Sequence, residues 1–185
     1  MKYQFNVNIS EKDYIDFNKF HMFKSPYGRK LLALFRMILI IFVFIYTFLS
    51  LYGRYQAGES FYDSIIGVLP ILIITIAMLL LLRPLFSSSI KLILKILKKS
   101  GKMGYSPSSV VEFYEENFIE MTDENKTEMK YSAIERISIV DNKMIYIHIN
   151  NVMAFILPIS CFESREEYDA FIEFIKTKCP NIDIY

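Results

Sequence analysis

The side chains able to do chemistry in this chain are few, and their spacing matches no common metal-binding motif. The two histidines, His21 and His148, lie far apart in the sequence, and the two cysteines, Cys161 and Cys179, form no C-x-x-C pair. A structural zinc site needs four such ligands at close spacing, so the sequence gives it little support. We expect His21 at an interface or a helix cap, and we predict no metal-binding or cofactor-binding residue.

Neighbouring carboxylates are the closest approach to a general acid–base pair. They occur at Glu115-Glu116, Asp123-Glu124 and Glu166-Glu167. Acid–base catalysis needs both groups aimed at one substrate, whereas adjacent residues on a strand point to opposite faces. The sequence also lacks a G-x-S-x-G elbow, a P-loop and an H-E-x-x-H helix. We therefore predict no catalytic residue, and we do not expect an enzyme.

Two long apolar runs predict the helices that lie between these side chains in the sequence. The first, residues 31–52, holds one charge, Arg36, and the second, residues 64–82, holds none. A helix needs about 20 apolar residues to cross a hydrocarbon core roughly 30 Å thick, and both runs reach that length. Buried helices of a soluble core are usually shorter and show a polar stripe. The sequence predicts a transmembrane hairpin over residues 31–83.

Lysine and arginine are distributed unevenly around the two spans. They cluster before the first span and after the second, while the loop 53–63 holds Arg54 alone, beside Glu59 and Asp63. Positive residues near span ends stay cytoplasmic. We therefore expect a multi-pass protein of the cell (inner, cytoplasmic) membrane with both termini in the cytoplasm. The lipid bilayer is its first expected partner.

A basic segment with helical spacing, residues 84–102, follows the second span and ends in a linker rich in glycine and serine. Two interpretations remain open. The segment is either an amphipathic helix on the inner leaflet or an extension of the span that packs on the soluble domain. In the first case four lysines lie at the membrane interface, where each contributes about 1 kcal/mol near anionic lipid. These residues are Lys91, Lys95, Lys98 and Lys99.

The N-terminal segment, residues 1–30, is predicted to be a cytoplasmic strand and helix. Apolar and polar residues alternate from Tyr3 to Ile9, which is typical of a half-buried strand. Ser10 and Asp13 resemble a capping box at the start of a helix. A break at Ser25-Pro26-Tyr27-Gly28 separates this helix from the first span.

From Val110 onward the apolar period changes to two, and residues 103–185 are predicted to form a separate cytoplasmic domain. Asp141-Asn142 and Asn150-Asn151 are expected at tight turns because these residue types tolerate positive φ. His148 is expected on a solvent face. The six predicted strands are Val110–Glu115, Phe118–Asp123, Thr127–Ser132, Ile137–Val140, Lys143–Ile149 and Val152–Pro158.

A helix capped by Ser164 and Glu167 and ended by Pro180 follows these strands. Six antiparallel strands and one amphipathic helix cannot bury a core as an open sheet. The expected fold is therefore α+β, with a two-helix transmembrane hairpin and a pleckstrin-homology-like (PH-like) antiparallel β-barrel capped by the last helix. PH-like barrels usually have seven strands, and Tyr3 to Ile9 is the predicted seventh.

The chain also resembles the YcxB-like family of small bacterial membrane proteins over nearly its whole length. Tyr131 stands where that family often has Trp, and Ile159-Ser160 replaces a frequent pair of basic residues. The resemblance implies a PH-like C-terminal domain, and it supplies no activity or catalytic residue. The segments that carry it include Ser10–Tyr14, Lys24–Pro26, Glu112–Glu116, Tyr131–Ile137 and Ile156–Phe162.

The function expected from these features is a membrane-anchored cytoplasmic interaction module with an unidentified protein partner. The alternative is a subunit of an oligomeric channel or transporter, or its regulator, although neither span carries an ionisable residue at its centre. Assembly of the chain into a homo-oligomer is a further alternative. Residues 1–102 are basic and residues 103–185 acidic, which argues against a nucleic-acid partner and against phosphoinositide binding by the domain.

Overall fold

The computed structural model describes residues 1–101, 105–150 and 153–185. It is an α+β structure with two compact units, which we call the sheet unit (Met1–Tyr14 with Met103–Tyr185) and the helical unit (Ile15–Lys102). The helices are α1 (Glu11–Phe23), α2 (Pro26–Gln56), α3 (Phe61–Lys99) and α4 (Arg165–Lys178). The strands are β1 (Tyr3–Asn8), β2 (Ser108–Phe113), β3 (Asn117–Met121), β4 (Lys126–Lys130), β5 (Arg136–Val140), β6 (Met144–His148), β7 (Ala154–Pro158) and β8 (Ile182–Ile184).

Two helices are long and apolar enough to cross a membrane. They are α2, with a mean hydropathy of 2.5 over its most apolar stretch, and α3, with 3.1. The connection between them is shorter than the predicted loop, because α2 continues to Gln56 and Ser60 caps α3. The Ser60 Oγ accepts a hydrogen bond from the Asp63 N–H at 3.2 Å, which satisfies an N–H that the first helical turn leaves free.

Helix α3 continues well beyond the predicted second span. Pro84 lies inside it, and the helix ends only at Lys99, so the basic segment is not a separate helix. Its 39 residues correspond to about 58 Å at 1.5 Å per residue. That length exceeds the roughly 30 Å of a hydrocarbon core by nearly a factor of two.

A tight corner joins α1 to α2 at the predicted break. The Ser25 Oγ accepts from the Gly28 N–H at 3.0 Å and donates to the His21 carbonyl at 2.5 Å. A Cβ on Gly28 would lie only 2.1 Å from the same carbonyl oxygen. Glycine is therefore required at this position for the two helices to approach each other.

The strands of the sheet unit form two four-stranded sheets. Sheet A has the order β1-β2-β3-β4 and sheet B the order β7-β6-β5-β8. All neighbouring strands are antiparallel except β5 and β8, which are parallel. β1 pairs with β2 in a register that runs from Tyr3 opposite Phe113 to Asn8 opposite Ser108. The predicted pairing of the N-terminal strand with the C-terminal domain is therefore confirmed.

The core lies between the two sheets and α4. Phe171 and Ile175 of α4 are completely buried against side chains from both sheets. The aromatic rings of Phe5, Phe113 and Phe171 contact one another, with centroids 4.9 to 6.0 Å apart. Edge-to-face contacts of this kind add to the burial of apolar surface. The first strand and the last helix thus share one core.

The strands do not form one closed barrel in the part of the chain that the structure describes. A short 3₁₀ turn, Tyr131–Ala133, separates β4 from β5, and β8 covers the edge of β5. Sheets A and B remain two distinct hydrogen-bonded sheets. The core between the two sheets is filled by their side chains and by those of α4.

The six predicted strands are all present, and those predicted ends that fall on described residues lie within two residues of the observed ends. Asp141 and Asn142 have φ values of 51° and 48°, as the predicted tight turn requires. The second predicted turn falls partly on residue 151, and the sixth predicted strand starts at residue 152. Both of these positions lie outside the described residues.

The expectation that His148 faces solvent is wrong. Its side chain is completely buried, and its Nε2 lies 3.2 Å from the Ser138 Oγ. Val140, Tyr146 and Ile156 on the same face of sheet B are also buried. The alternation therefore does not separate a core face from a solvent face here, because residues on both faces of sheet B are buried.

Candidate functional site

One concave site in the described residues is a groove of about 290 Å³ in the sheet unit. It lies between α4 and the strand pair β5 and β8. Ile139 of β5, Ile172 of α4 and Ile182 of β8 give it an apolar lining, and Ile184 stands at its rim. Binding sites in proteins are commonly concave and mostly apolar.

Helix α4 forms one wall of the groove, and its first residues fix where it begins. The Ser164 Oγ accepts from the Glu167 N–H at 3.1 Å, and Glu167 Oε2 accepts from the Glu163 N–H at 2.7 Å. The predicted helix start is thereby confirmed. Tyr168 and Ile172 then lie one turn apart on the groove side.

The charged side chains along this wall neutralise one another. Arg165 Nε lies 3.2 Å from Asp169 Oδ1, and Lys176 Nζ lies 2.6 Å from Glu173 Oε1. The Arg165 guanidinium also stacks over the Tyr168 ring at 4.6 Å. The wall therefore presents no excess of either charge, and an apolar or neutral ligand suits it better than an anion.

The opposite wall is built by β8 through its main chain. The Ile137 N–H donates to the Asn181 carbonyl and the Tyr185 N–H donates to the Ile139 carbonyl, both at 2.9 Å. The Asn181 side-chain amide adds a bond to the Glu135 carbonyl at 3.3 Å. Main-chain hydrogen bonds thus hold a short strand along the edge of sheet B.

An ion cluster lies on another side of the sheet unit and joins β1 to α4. Glu115 accepts from Lys2 at 3.3 Å and from Lys178 at 3.5 Å. The hydrogen bond from Lys2 is the main reason that the pKa of Glu115 lies below its ordinary value. Both lysines also lie over the ring of Phe174, at 4.5 and 5.5 Å.

The lysines predicted at a membrane interface all lie on the last turns of α3. Their side chains are exposed, whereas Ile90 and Leu94 on the same helix are buried. Lys98 and Lys99 fall in the final turn, where positive charge favours the helix dipole. The structure therefore brings the four lysines together on one helix, and their contact with lipid stays a prediction.

Two further described groups, Cys161 and Glu120, have raised pKa values because they are buried. Burial raises the pKa of the Cys161 thiol to about 12, and its Sγ donates to the Pro158 carbonyl at 2.8 Å. A neutral thiol of this kind is a poor nucleophile. Burial also raises the pKa of Glu120, which accepts from the Ser109 Oγ at 3.2 Å.

Among residues 1–101, 105–150 and 153–185, no three His, Cys, Asp or Glu side chains lie together where they could hold a metal ion. The ring of His21 lies 5.9 Å from the rings of both Phe17 and Tyr27, at the α1–α2 corner. Its surroundings are those of a packed interface residue.

Sequence reasoning missed β8 and the groove that it borders. The available signal was the Ile182-Asp183-Ile184 alternation directly after Pro180. Three residues are too few for a periodicity to distinguish a strand from a loop. The groove itself depends on which side of α4 faces β5, which only the tertiary structure defines.

Comparison with known proteins adds one match. A family model described as YcxB-like protein matches residues 113–175, from the end of β2 into α4. No curated protein matches the chain, and no solved structure does. Over residues 113–175 the chain is similar to the YcxB-like family, and the resemblance predicted from the sequence is confirmed for that range.

Proposed function

We propose that the protein is a membrane-anchored interaction module of a bacterial cell membrane. Helices α2 and α3 form a transmembrane hairpin, and the sheet unit binds a protein partner in the cytoplasm. The observation that carries the proposal is the exposed apolar surface of both helices. Phe44 is 72%, Ile73 63% and Leu80 75% exposed. Soluble proteins rarely expose contiguous apolar surface on this scale, whereas lipid would cover it.

The distribution of positive charge supports a cytoplasmic sheet unit. Lysines and arginines cluster before the first span and after the second. Arg54, the single basic residue of the predicted loop, is paired with Glu59 at 2.7 Å. Positive residues that flank spans remain on the cytoplasmic side. The hairpin would then expose only the short Ala57–Ser60 connection outside the cell.

The strand order supports a PH-like domain. Four antiparallel strands, β1 to β4, are followed by three more, β5 to β7, and then by α4. This is the order of PH-like domains, with β8 as an addition. Fold alone does not transfer a ligand. The interaction part of the proposal is supported by the groove beside α4, whose isoleucine lining and paired charges suit a neutral segment.

Site-specific photocrosslinking in native membranes tests the proposal. A photoreactive amino acid replaces Glu173 beside the groove or Lys126 on β4, and matched variants carry it at Phe44 or Ile73 on the exposed faces of the helices. An interaction module predicts crosslinks to one other protein from the sheet unit and none from the helices. Crosslinks between copies of this chain, confined to Phe44 and Ile73, would instead favour the oligomeric channel.

A further inference from the structure

We propose that the edge of β5 beside α4 is a strand-addition site for an extended peptide with apolar residues at alternate positions. In the structure β8 occupies this site as an internal competitor. The inference rests on the proposed function, because it names the site and the class of partner of the interaction module. Strand addition of this kind uses main-chain hydrogen bonds for affinity and side-chain pockets for specificity.

The contacts of β8 indicate that it is weakly held. It has three residues and pairs in parallel with Ile137–Ile139, and parallel pairing is slightly less stable than antiparallel pairing. The Ile184 side chain is 78% exposed, Asp183 is exposed and Ile182 is only partly buried. A strand with so few buried contacts opens at low cost.

The chemistry of the site defines what can replace β8. Ile137 offers a main-chain N–H and Ile139 a main-chain carbonyl along the edge, as their bonds to β8 show. The Ile182 side chain is partly buried against the core, so its position accepts an apolar side chain, and the paired charges of the α4 wall select for neither sign. The fitting partner is therefore an extended segment with the pattern Ile-x-Ile.

Competition between β8 and the partner has a measurable consequence. A peptide can bind only while β8 is detached. Its apparent affinity is therefore the intrinsic affinity multiplied by the fraction of molecules in which the edge of β5 is free. A substitution that detaches β8 should strengthen peptide binding, although it removes contacts from the folded chain. Loss of contacts at an unrelated surface would give no such gain.

The test uses the full chain in lipid discs and a fluorescent peptide, Asn-Ile-Asp-Ile-Tyr, followed by anisotropy. Ile182→Asp should detach β8 and strengthen peptide binding by about tenfold or more. Ile182→Val is the matched control and should bind as the wild type does. Asn181→Ala removes only the exposed side-chain bond to Glu135, so it cannot unfold the core, and it should give a smaller gain.

Two methylated peptides test the strand geometry. Methylation of the tyrosine amide removes the donor to the Ile139 carbonyl and should abolish binding. Methylation of the second isoleucine amide, which points away from β5 by the alternation of a strand, should leave binding unchanged. Equal binding of both methylated peptides would overturn the proposal. The proposal would also fail if neither Ile182→Asp nor Asn181→Ala bound the peptide more tightly than the wild type does.

Other outcomes separate this inference from the proposed function. Wild-type dimers formed by exchange of β8 would make a second copy the occupant and would overturn the peptide site. If no peptide binds while crosslinks from the sheet unit still identify one protein, the groove assignment fails and the interaction module stands. In a third outcome, Ile182→Asp binds the peptide more tightly than Asn181→Ala, and Asn181→Ala more tightly than the wild type, while crosslinks come only from the helices. The groove assignment then stands without the interaction module.

Discussion

Phe5 of β1 and Phe171 of α4 lie with ring centroids 5.2 Å apart and ring planes at 85°. Both side chains are almost completely buried in the core of the sheet unit. The strand that precedes the two long apolar helices is thus part of the domain that follows them. Removal of either ring should affect the whole sheet unit.

Phe5→Asp should strongly destabilise the sheet unit. Truncation of a buried phenylalanine typically costs 3–5 kcal/mol, and a buried unpaired carboxylate adds to that cost. We expect the free energy of unfolding to fall by at least about 3 kcal/mol. Pulse proteolysis of the full chain in micelles measures it. The control is Asn6→Asp, on the exposed face of the same strand. Equal stability of the two variants would contradict a structural role for β1.

Glu115→Gln should lower stability at neutral pH but not in acid. The pKa of Glu115 is lower in the folded protein than its ordinary value of 4.5, chiefly because Lys2 donates to the carboxylate. Its stabilising contribution is therefore present above about pH 4.5 and is lost as the pH falls through the lower folded-state pKa. Urea unfolding should show the largest difference between the variant and the wild type at pH 7, and the difference should shrink as the pH falls below about 4.5. Glu116→Gln is the control, and a difference that does not shrink between pH 7 and pH 3 would refute the assignment.

Replacement of Lys91, Lys95, Lys98 and Lys99 by Gln should weaken membrane binding of a peptide of residues 85–99. Each lysine near an anionic surface contributes about 1 kcal/mol, within a Debye length of about 8–10 Å. Sedimentation with anionic vesicles should show a large loss for the Gln peptide, and added salt should weaken the wild-type peptide. Zwitterionic vesicles are the control. Equal partition of both peptides into anionic vesicles would favour an extension of the span that does not contact lipid headgroups.

Reporter fusions should give an N-in, C-in topology. The asymmetry of lysine and arginine predicts cytoplasmic reporters at residue 1 and Tyr185, and an external reporter at Gly58. The C-terminal domain should resist protease added to spheroplasts. Digestion of residues 110–185 from outside would show the reverse orientation.

Gly28→Ala should destabilise the corner between α1 and α2. The new Cβ would lie 2.1 Å from the His21 carbonyl oxygen and 2.4 Å from that of Met22, so backbone must shift. Overpacking of this kind costs about 1–3 kcal/mol. Thermal unfolding in micelles, followed by circular dichroism, measures the loss. Gly53→Ala is the matched control, because no atom lies within 4 Å of its new Cβ. If both variants melt alike, close approach at Gly28 is not a constraint.

Local signals account for most of what the sequence predicts correctly. The capping box at Ser10 and Asp13 forms as expected, with the Asp13 N–H 3.2 Å from the Ser10 Oγ. The strands and the turn at Asp141-Asn142 follow from alternation and from residue types that accept positive φ. Docking of β1 on the C-terminal domain was predictable because an unpaired strand edge needs a partner, whereas the choice of β2 as that partner was not.

The features that the sequence does not predict depend on tertiary packing. His148 is buried together with Tyr146 and Ile156 on its face of sheet B, which alternation alone does not reveal. Helix α3 continues through Pro84, because proline disfavours a helix by only a few kcal/mol and flanking turns can compensate. The groove and β8 arise from contacts between residues distant in sequence.

The pairing of β1 with β2 also sets an order for biogenesis. Gln4 and Glu112 form a side-chain hydrogen bond although they are 108 residues apart in the chain. Contacts of such separation form late, because the entropy of loop closure must be overcome before they contribute stability. During synthesis both apolar helices emerge before the partner strand of β1 exists. Phe5 and Val7 therefore stay uncovered until β2 has been synthesised, and in that period a chaperone, or the bilayer in the proposed topology, would have to shield them.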